Sequence, residues 1–315
     1  AEQEFLNVIG LGRLHHAWLI CGPRGIGKAT LAYRMARYLL AHKSYDVGNS
    51  EQLLDLDFDH HSKNHVSATT SLFLPPEHPV FRHVAAGSHA DFLAVERRYD
   101  EKKNKLQKFI GIGDNKTSPE PNTIRFVGAF LRKTAVEGGY RVVVIDSVDE
   151  LSINAAHALL KILEEPPEQT LLLLVSHNPG TLLPTIRSRC RRLSLNPLNV
   201  ASVVSLIQRH APETEEDKVQ QLIDLSNGSI GTALRLLVDD GLDMLDLVNT
   251  LLSDLPALDV PLLDQLGNKV YQERSGKAFR TLFFIFSHQV MEIVKNKAIS
   301  GAPPNGEINK WIDVW

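Results

Sequence analysis

The spacing of apolar side chains divides the chain into a first part with buried strands and a second part built from helices. Continuous apolar runs of strand length occur at 17–21, 141–146 and 170–176. Helical periodicity lies between and beside them, at 28–40, 122–137 and 152–165. Strands that alternate with helices in this way predict an α/β domain with a parallel sheet flanked by helices.

The boundaries of these elements have clear local signals. Ser152 is a good helix N-cap, and the pair Pro166-Pro167 forbids helix beyond Glu165. A short helix at 183–188 and a strand at 192–195 are predicted to end this first domain.

The segment 45–121 has weak periodicity, several prolines and many of the histidines, so we predict a loop-rich insertion with short elements. His60, His61 and His65 lie near Asp57 and Asp59, but their spacing fits no familiar zinc pattern and no cysteine assists. We therefore expect no zinc and no other metal here.

After Asn196-Pro197 the strand-like runs disappear, and helical periods follow at 200–210, 214–226 and 229–238. Phenylalanines at helical spacing, beginning with Phe279, predict further helices near the end. The predicted domains are residues 1–196, 197–242 and 243–315. The chain begins without methionine, so we leave open whether either end is trimmed.

Composition narrows the function classes. The chain has 315 residues, a formal net charge of -3 and two cysteines, Cys21 and Cys190. That charge gives no overall basic field for nucleic acid, so any DNA contact must be a local patch. Two cysteines exclude a disulfide framework and a four-cysteine zinc site. No apolar run approaches the roughly 20 residues of a membrane helix, so we expect a soluble, cytoplasmic protein without membrane contact.

Residues 22–29, between a predicted strand and a predicted helix, read Gly-Pro-Arg-Gly-Ile-Gly-Lys-Ala. They match the phosphate-loop pattern G-x-x-x-x-G-K-[ST] at every fixed position except the last. Gly22, Gly25 and Gly27 would let backbone N–H groups surround a phosphate, and Lys28 would reach its oxygens. The alternative, a tight turn with glycines for geometry alone, is disfavoured by this context.

The catalytic parts of such a site are incomplete. Ala29 occupies the position of the hydroxyl that coordinates Mg²⁺, and Thr30 comes one residue late. The strand ending at Asp146 has the form of a Walker B strand, but Ser147 stands where ATPases place a glutamate base. We expect Asp149 and Glu150 to be solvated loop carboxylates.

Two further runs carry a family resemblance. Residues 155–167 read AAHALLKILEEPP, and residues 186–190 read Ile-Arg-Ser-Arg-Cys. This pairing closely resembles the clamp-loader branch of the AAA+ proteins. Residues 137–141 and 177–179 are also similar to the delta-prime subunits of bacterial DNA polymerase III clamp loaders. The resemblance covers 14–195 apart from the insertion, and the helical remainder only loosely.

The resemblance implies a RecA-like AAA+ domain, a small helical lid at 197–242 and a C-terminal helical collar at 243–315. It implies that Arg189 is an arginine finger, which acts on ATP held by a neighbouring subunit. It also makes Asn178 a candidate sensor-one remnant, although a turn-forming Asn is an equal alternative. The family's second sensing arginine is replaced by Gly231, and the four-cysteine zinc module of many members is missing.

Three hypotheses follow. The favoured one is a non-hydrolysing component of the DNA polymerase III holoenzyme, which works with gamma/tau and delta subunits to load the sliding clamp on primed DNA. It requires no cofactor, although ATP, ADP, phosphate or sulfate could still occupy the phosphate loop. The alternatives are an active gamma/tau-like ATPase and a purely structural scaffold.

Overall fold

A computed structural model describes residues 1–42, 71–97, 99–100, 105–113, 121–137, 139–253, 259–272 and 276–300. The chain divides into two compact units. We call Ala1–Pro23 with Gly27–Asn196 the sheet unit, and Arg24–Ile26 with the chain from Pro197 onward the helical unit.

The sheet unit is organised around a parallel sheet. The strands in its described part are β1 (Ala17–Cys21), β2 (Phe92–Glu96), β3 (Tyr99–Asp100), β4 (Lys105–Leu106), β5 (Arg141–Asp146), β6 (Thr170–Ser176) and β7 (Arg191–Ser194). The central sheet has the order β2-β5-β6-β1-β7, and each neighbouring pair in it is parallel. The short strands β3 and β4 form a separate antiparallel pair.

Helices cover both faces of this sheet. They are α1 (Glu2–Gly10), α2 (Lys28–Ala41), α3 (Pro79–Ala85), α4 (Ile124–Leu131), α5 (Ile153–Glu164) and α6 (Pro184–Ser188). Successive strand residues enter different hydrophobic clusters: Trp18 packs with α1 and α2, whereas Leu19 packs with α4 and α5. Because both faces are buried, these strands appear in the sequence as continuous apolar runs.

The helical unit contains α7 (Val200–His210), α8 (Glu216–Ser226), α9 (Ile230–Val238), α10 (Gly241–Ser253), α11 (Val260–Gln272) and α12 (Lys277–Ser300). Their buried side chains form one hydrophobic cluster. The boundary predicted between residues 242 and 243 falls inside α10, and the division into lid and collar stays a prediction. Within the described residues, none of the helices has the length and apolar character needed to span a bilayer.

Two predictions from the sequence need correction. Phe92–Glu96, placed in a loop-rich insertion, is an edge strand of the central sheet and pairs with β5. The helix predicted at 122–137 is shorter, because α4 ends at Leu131. Beyond it, the amides of Val136 and Glu137 donate to the carboxylate of Asp91 at 2.9 and 3.0 Å, so they are not available for helix.

A buried ion pair joins the start of β5 to the residue before β2. The Arg141 guanidinium lies 3.3 Å from Asp91 Oδ1, and their side chains are 5% and 1% exposed. Arg141 also donates to the carbonyls of Phe130 and Thr134 and lies over the Phe130 ring. The pair therefore fixes the loop between α4 and β5 against the sheet.

We expect Arg141→Met to lower the free energy of unfolding by about 3–5 kcal/mol, because it leaves the buried Asp91 carboxylate without its counter-charge. Urea denaturation measures this. Arg132→Met is the matched control, since Arg132 is exposed and should cost less than about 0.5 kcal/mol. A loss below about 1 kcal/mol for Arg141→Met would show that the pair is dispensable.

Candidate functional site

The phosphate loop lies where the sequence predicts, between the carboxyl end of β1 and the first residue of α2. Lys28 is only 3% exposed. Its ammonium donates to the Gly22 carbonyl at 2.7 Å and to the Pro23 carbonyl. In a nucleotide-binding loop, this lysine is the residue that reaches the phosphate oxygens.

The middle of the loop, Arg24–Ile26, clusters with the helical unit. Gly231 N–H donates to the Gly25 carbonyl at 2.8 Å, and Ser229 Oγ donates to the Arg24 carbonyl at 2.9 Å. A Cβ at Gly25, where φ is +75°, would lie 2.3 Å from Ser229 Oγ. A side chain at Gly25 would therefore clash with this packing contact. The sequence gives no signal of the contact, because the residues in it lie about two hundred positions apart.

The position that the family gives to a sensing arginine is closely packed. A Cβ at Gly231 would lie 2.8 Å from the Gly25 Cα, a distance that real side chains do not adopt. Arg235, one turn further along α9, lies over the Phe284 ring, with 5.5 Å between guanidinium carbon and ring centroid. Gly231 therefore has no room for a side chain, and the Arg235 guanidinium contacts an aromatic ring.

The carboxyl ends of β1, β5 and β6 meet at one edge of the sheet. Cys21 pairs with Ser176, and Asp146 pairs with Val175, so the half-buried Asp146 lies at the same edge as the phosphate loop. In the first turn of α2, Ala29 is half-buried and Thr30 is exposed. The Walker B position and the loop are brought together as the sequence predicts.

The groups that follow Asp146 are engaged in structural contacts. Asp149 accepts from Ser176 Oγ at 2.7 Å and from the His177 N–H. Glu150 pairs with Arg97 at 2.6 Å. The expectation that these two are solvated loop carboxylates is therefore wrong, because their partners lie at or just after the ends of β6 and β2.

Ser147, which replaces the glutamate base, is 1% exposed and its Oγ has no hydrogen-bond partner. Asn178 is exposed, and its backbone carbonyl accepts from Thr181 N–H at 3.1 Å and Thr181 Oγ1 at 2.8 Å. Asn178 therefore lies in a turn, which agrees with the alternative that it is a turn-forming residue. Its role as a sensor-one remnant stays a prediction.

Arg189 follows the short helix α6, which is anchored in the core by Ile186 at 1% exposure. Its Nη1 donates to the Thr185 carbonyl at 3.0 Å, and its Nη2 lies 2.9 Å from Glu164 Oε1. The side chain remains 35% exposed. The guanidinium is thus held at two points and still reaches the surface.

Arg189 and the phosphate loop lie toward opposite ends of the sheet. Strand β7 runs parallel to β1 and begins with Arg191 opposite Trp18, whereas the loop begins after Cys21. The four residue steps from Trp18 to Gly22 correspond to about 13 Å along the strand, and Arg189 precedes even Arg191. Arg189 therefore lies toward the end of the sheet opposite to the phosphate loop of its own chain.

Cys190 anchors the segment behind this arginine. Burial, followed by the neighbouring Cys21, raises the pKa of the Cys190 thiol to about 12, and Cys190 packs against the same cluster as Ile186. Burial likewise raises the pKa of Cys21. Both thiols stay protonated at neutral pH, which is typical of packing rather than nucleophilic chemistry.

The neighbouring arginines have other contacts. Arg191 pairs with Glu4 at 3.1 Å and lies 4.9 Å from the Trp18 ring centroid. Arg192 Nε donates to Ser194 Oγ at 3.1 Å. Arg187 is exposed on α6. Arg191 and Arg192 are also exposed, so these three arginines form a solvated basic edge with surface contacts.

No group of three or more histidine, cysteine or acidic side chains able to hold a metal occurs among the described residues. His60, His61 and His65 lie outside them. The absence of a zinc site in that segment stays a prediction.

Comparison with known proteins identifies relatives. A family model described as DNA polymerase III, delta subunit, matches residues 76–199. The DNA polymerase III subunit delta' of Pseudomonas aeruginosa is 32% identical over 236 residues, which cover 75% of this chain and 60% of that protein. The Escherichia coli subunit delta' is 31% identical over 234 residues, covering 73% and 56%.

A gamma subunit-related protein of DNA polymerase III from Thermotoga maritima superposes with a TM-score of 0.45 at 17% identity, covering 93% of this chain and 79% of that one. The chain spans 60% or less of the length of the two curated delta' relatives.

We expect the native protein to react very slowly with a thiol reagent such as DTNB at pH 8. A pKa of about 12 leaves only about one Cys190 thiol in ten thousand ionised at that pH. Unfolding in guanidinium should release both thiols of the chain within minutes. Fast modification of Cys190 in the native state, located by mass spectrometry, would contradict its burial.

Proposed function

Because this chain belongs to the clamp-loader family of DNA polymerase III subunits, we propose that it acts as a non-hydrolysing, delta-prime-like subunit. In this role it supplies Arg189 to ATP bound by a neighbouring subunit. The parallel sheet flanked by helices confirms the predicted α/β fold and supports the AAA+ assignment. The observation that carries the proposal is the position of Arg189, which lies away from the phosphate loop of its own chain.

An arginine in this position suits catalysis across an interface. Its guanidinium is permanently charged and planar, and it can form paired hydrogen bonds to phosphate oxygens. In other phosphoryl-transfer systems, an arginine supplied to the transition state increases the rate by about 10³ to 10⁵. The side chain is 35% exposed, so a neighbouring subunit can approach it.

The phosphate loop of this chain supports the proposal that the subunit does not hydrolyse ATP. Ala29 and Ser147 cannot supply the magnesium-coordinating hydroxyl and the general base of an active site. Lys28 is buried and donates to the carbonyls of Gly22 and Pro23. ADP, phosphate or sulfate could still bind at this loop through Lys28, and we propose that the subunit requires no nucleotide there.

The partners follow from the family. We propose gamma/tau and delta subunits as neighbours, with the assembled ring loading the sliding clamp on primed DNA. Helix α12 supports subunit contacts, because Phe279 and Phe283 are 58% and 65% exposed with their rings 6.4 Å apart. Arg132 and Lys133, exposed after α4, are candidates for a local contact with DNA phosphates.

We expect Arg189→Ala to lower the DNA-stimulated ATPase of the reconstituted loader, with a loss of about 10³-fold at the nucleotide site that it serves. Steady-state phosphate release with primed DNA and clamp measures this. Arg187→Ala is the matched control, because Arg187 is an exposed arginine on α6, the helix that Arg189 directly follows. An unchanged rate for Arg189→Ala in a fully assembled loader would favour the scaffold hypothesis.

We expect the isolated chain to hydrolyse no ATP above background, because Ala29 and Ser147 remove two catalytic groups. Lys28→Ala should leave that background unchanged. Robust turnover that Lys28→Ala abolishes would instead establish the active ATPase and overturn the proposal. Phosphate release by the purified chain, compared with a buffer blank, decides between these outcomes.

A further inference from the structure

A carboxylate on a different helix holds the proposed finger. Glu164 is the last residue of α5, and its Oε1 lies 2.9 Å from Arg189 Nη2. We propose that Glu164 is a positioning residue, which orients the Arg189 guanidinium toward the nucleotide of the neighbouring subunit. This inference rests on the proposed function, because it assigns a role to Glu164 only through Arg189.

The two contacts of Arg189 define the orientation of its planar group. Nη1 donates at 3.0 Å to the carbonyl of Thr185, the second residue of α6, and Nη2 binds Glu164 from α5. Arginine carries five N–H donors in a rigid fork, so donors remain for phosphate oxygens after both bonds have formed. Without Glu164, the guanidinium would keep one tether and could rotate about it.

Stability does not explain a carboxylate at this position. Glu164 lies in the last turn of α5, where the helix dipole disfavours negative charge. The pair is also an exposed one, with side chains 35% and 48% accessible, and such pairs add little to folding stability. The effect of Glu164 on folding stability therefore does not account for its presence, whereas a role in orienting Arg189 does.

The placement of both residues is rigid. Helix α5 begins at the Ser152 cap, which accepts from the Ala155 amide at 3.3 Å, and Pro166 and Pro167 follow its end. Leu163, beside Glu164, is 2% exposed, and Ile186 on α6 is 1% exposed. Because both backbones are anchored in one hydrophobic cluster, the carboxylate and the guanidinium have a defined separation.

The test is Glu164→Gln in the full chain, assembled with its gamma/tau and delta partners and assayed with primed DNA and clamp. We expect kcat for ATP to fall about tenfold, within the 10²-fold that a 1 Å misplacement can cost, with KM for ATP unchanged. Glu165→Gln is the matched control, since it removes the same charge from the exposed neighbouring residue. The melting temperature of both variants should stay within about 2 °C of the parent.

A double-mutant cycle separates positioning from other effects. If Glu164 acts through Arg189, Glu164→Gln should lower kcat in the parent but leave the residual rate of Arg189→Ala unchanged. Equal losses in both backgrounds would overturn the inference. A rise in kcat for Glu164→Gln would also overturn it, because the carboxylate would then be restraining the finger.

The same cycle tests the proposed function of Arg189 separately from the positioning role of Glu164. If Arg189→Ala itself leaves the assembled loader unchanged, the proposed function fails and this inference fails with it. If Arg189→Ala lowers kcat but Glu164→Gln does not, the finger stands and only the positioning role is wrong.

Discussion

The parallel pairing of β1 with both β6 and β7 is the constraint on which the functional geometry depends. Parallel strands place all their carboxyl ends at one edge of the sheet, so Cys21, Asp146 and Ser176 end together. The same rule places the segment before β7 toward the opposite edge. The phosphate loop and Arg189 are therefore separated by the sheet itself, and no side-chain rotation brings them together.

Because of this separation, the two edges of the sheet can carry different functions. The edge with the phosphate loop contains polar groups engaged within the chain: Lys28 binds loop carbonyls, Asp149 binds Ser176 and Glu150 binds Arg97. At the edge that carries Arg189, a charged group is held in place but left accessible. Substitutions at one edge need not disturb the other, because different strand ends support them.

The sequence predicted the strands β1, β5 and β6 closely, because residues buried on both faces leave uninterrupted apolar runs. It missed β2, since a short edge strand between prolines and histidines lacks that signal. It also missed the contacts of Asp149 and Glu150, whose partners lie tens of residues away. The spacing of motifs identifies the candidate catalytic residues. Their contacts with residues on other strands and loops, which are distant in sequence, determine whether their side chains are already engaged.

The glycines at positions 25 and 231 are also linked to one another. Gly231, at the position where the resemblance implies a sensing arginine, donates its N–H to the Gly25 carbonyl at 2.8 Å. A side chain at residue 231 would place its Cβ 2.8 Å from the Gly25 Cα, and a side chain at residue 25 would meet Ser229 Oγ. The close packing of these two glycines requires that both lack side chains. Restoring an arginine at Gly231 would therefore force the loop backbone to move, and a single substitution would not recover a sensing arginine in the present geometry.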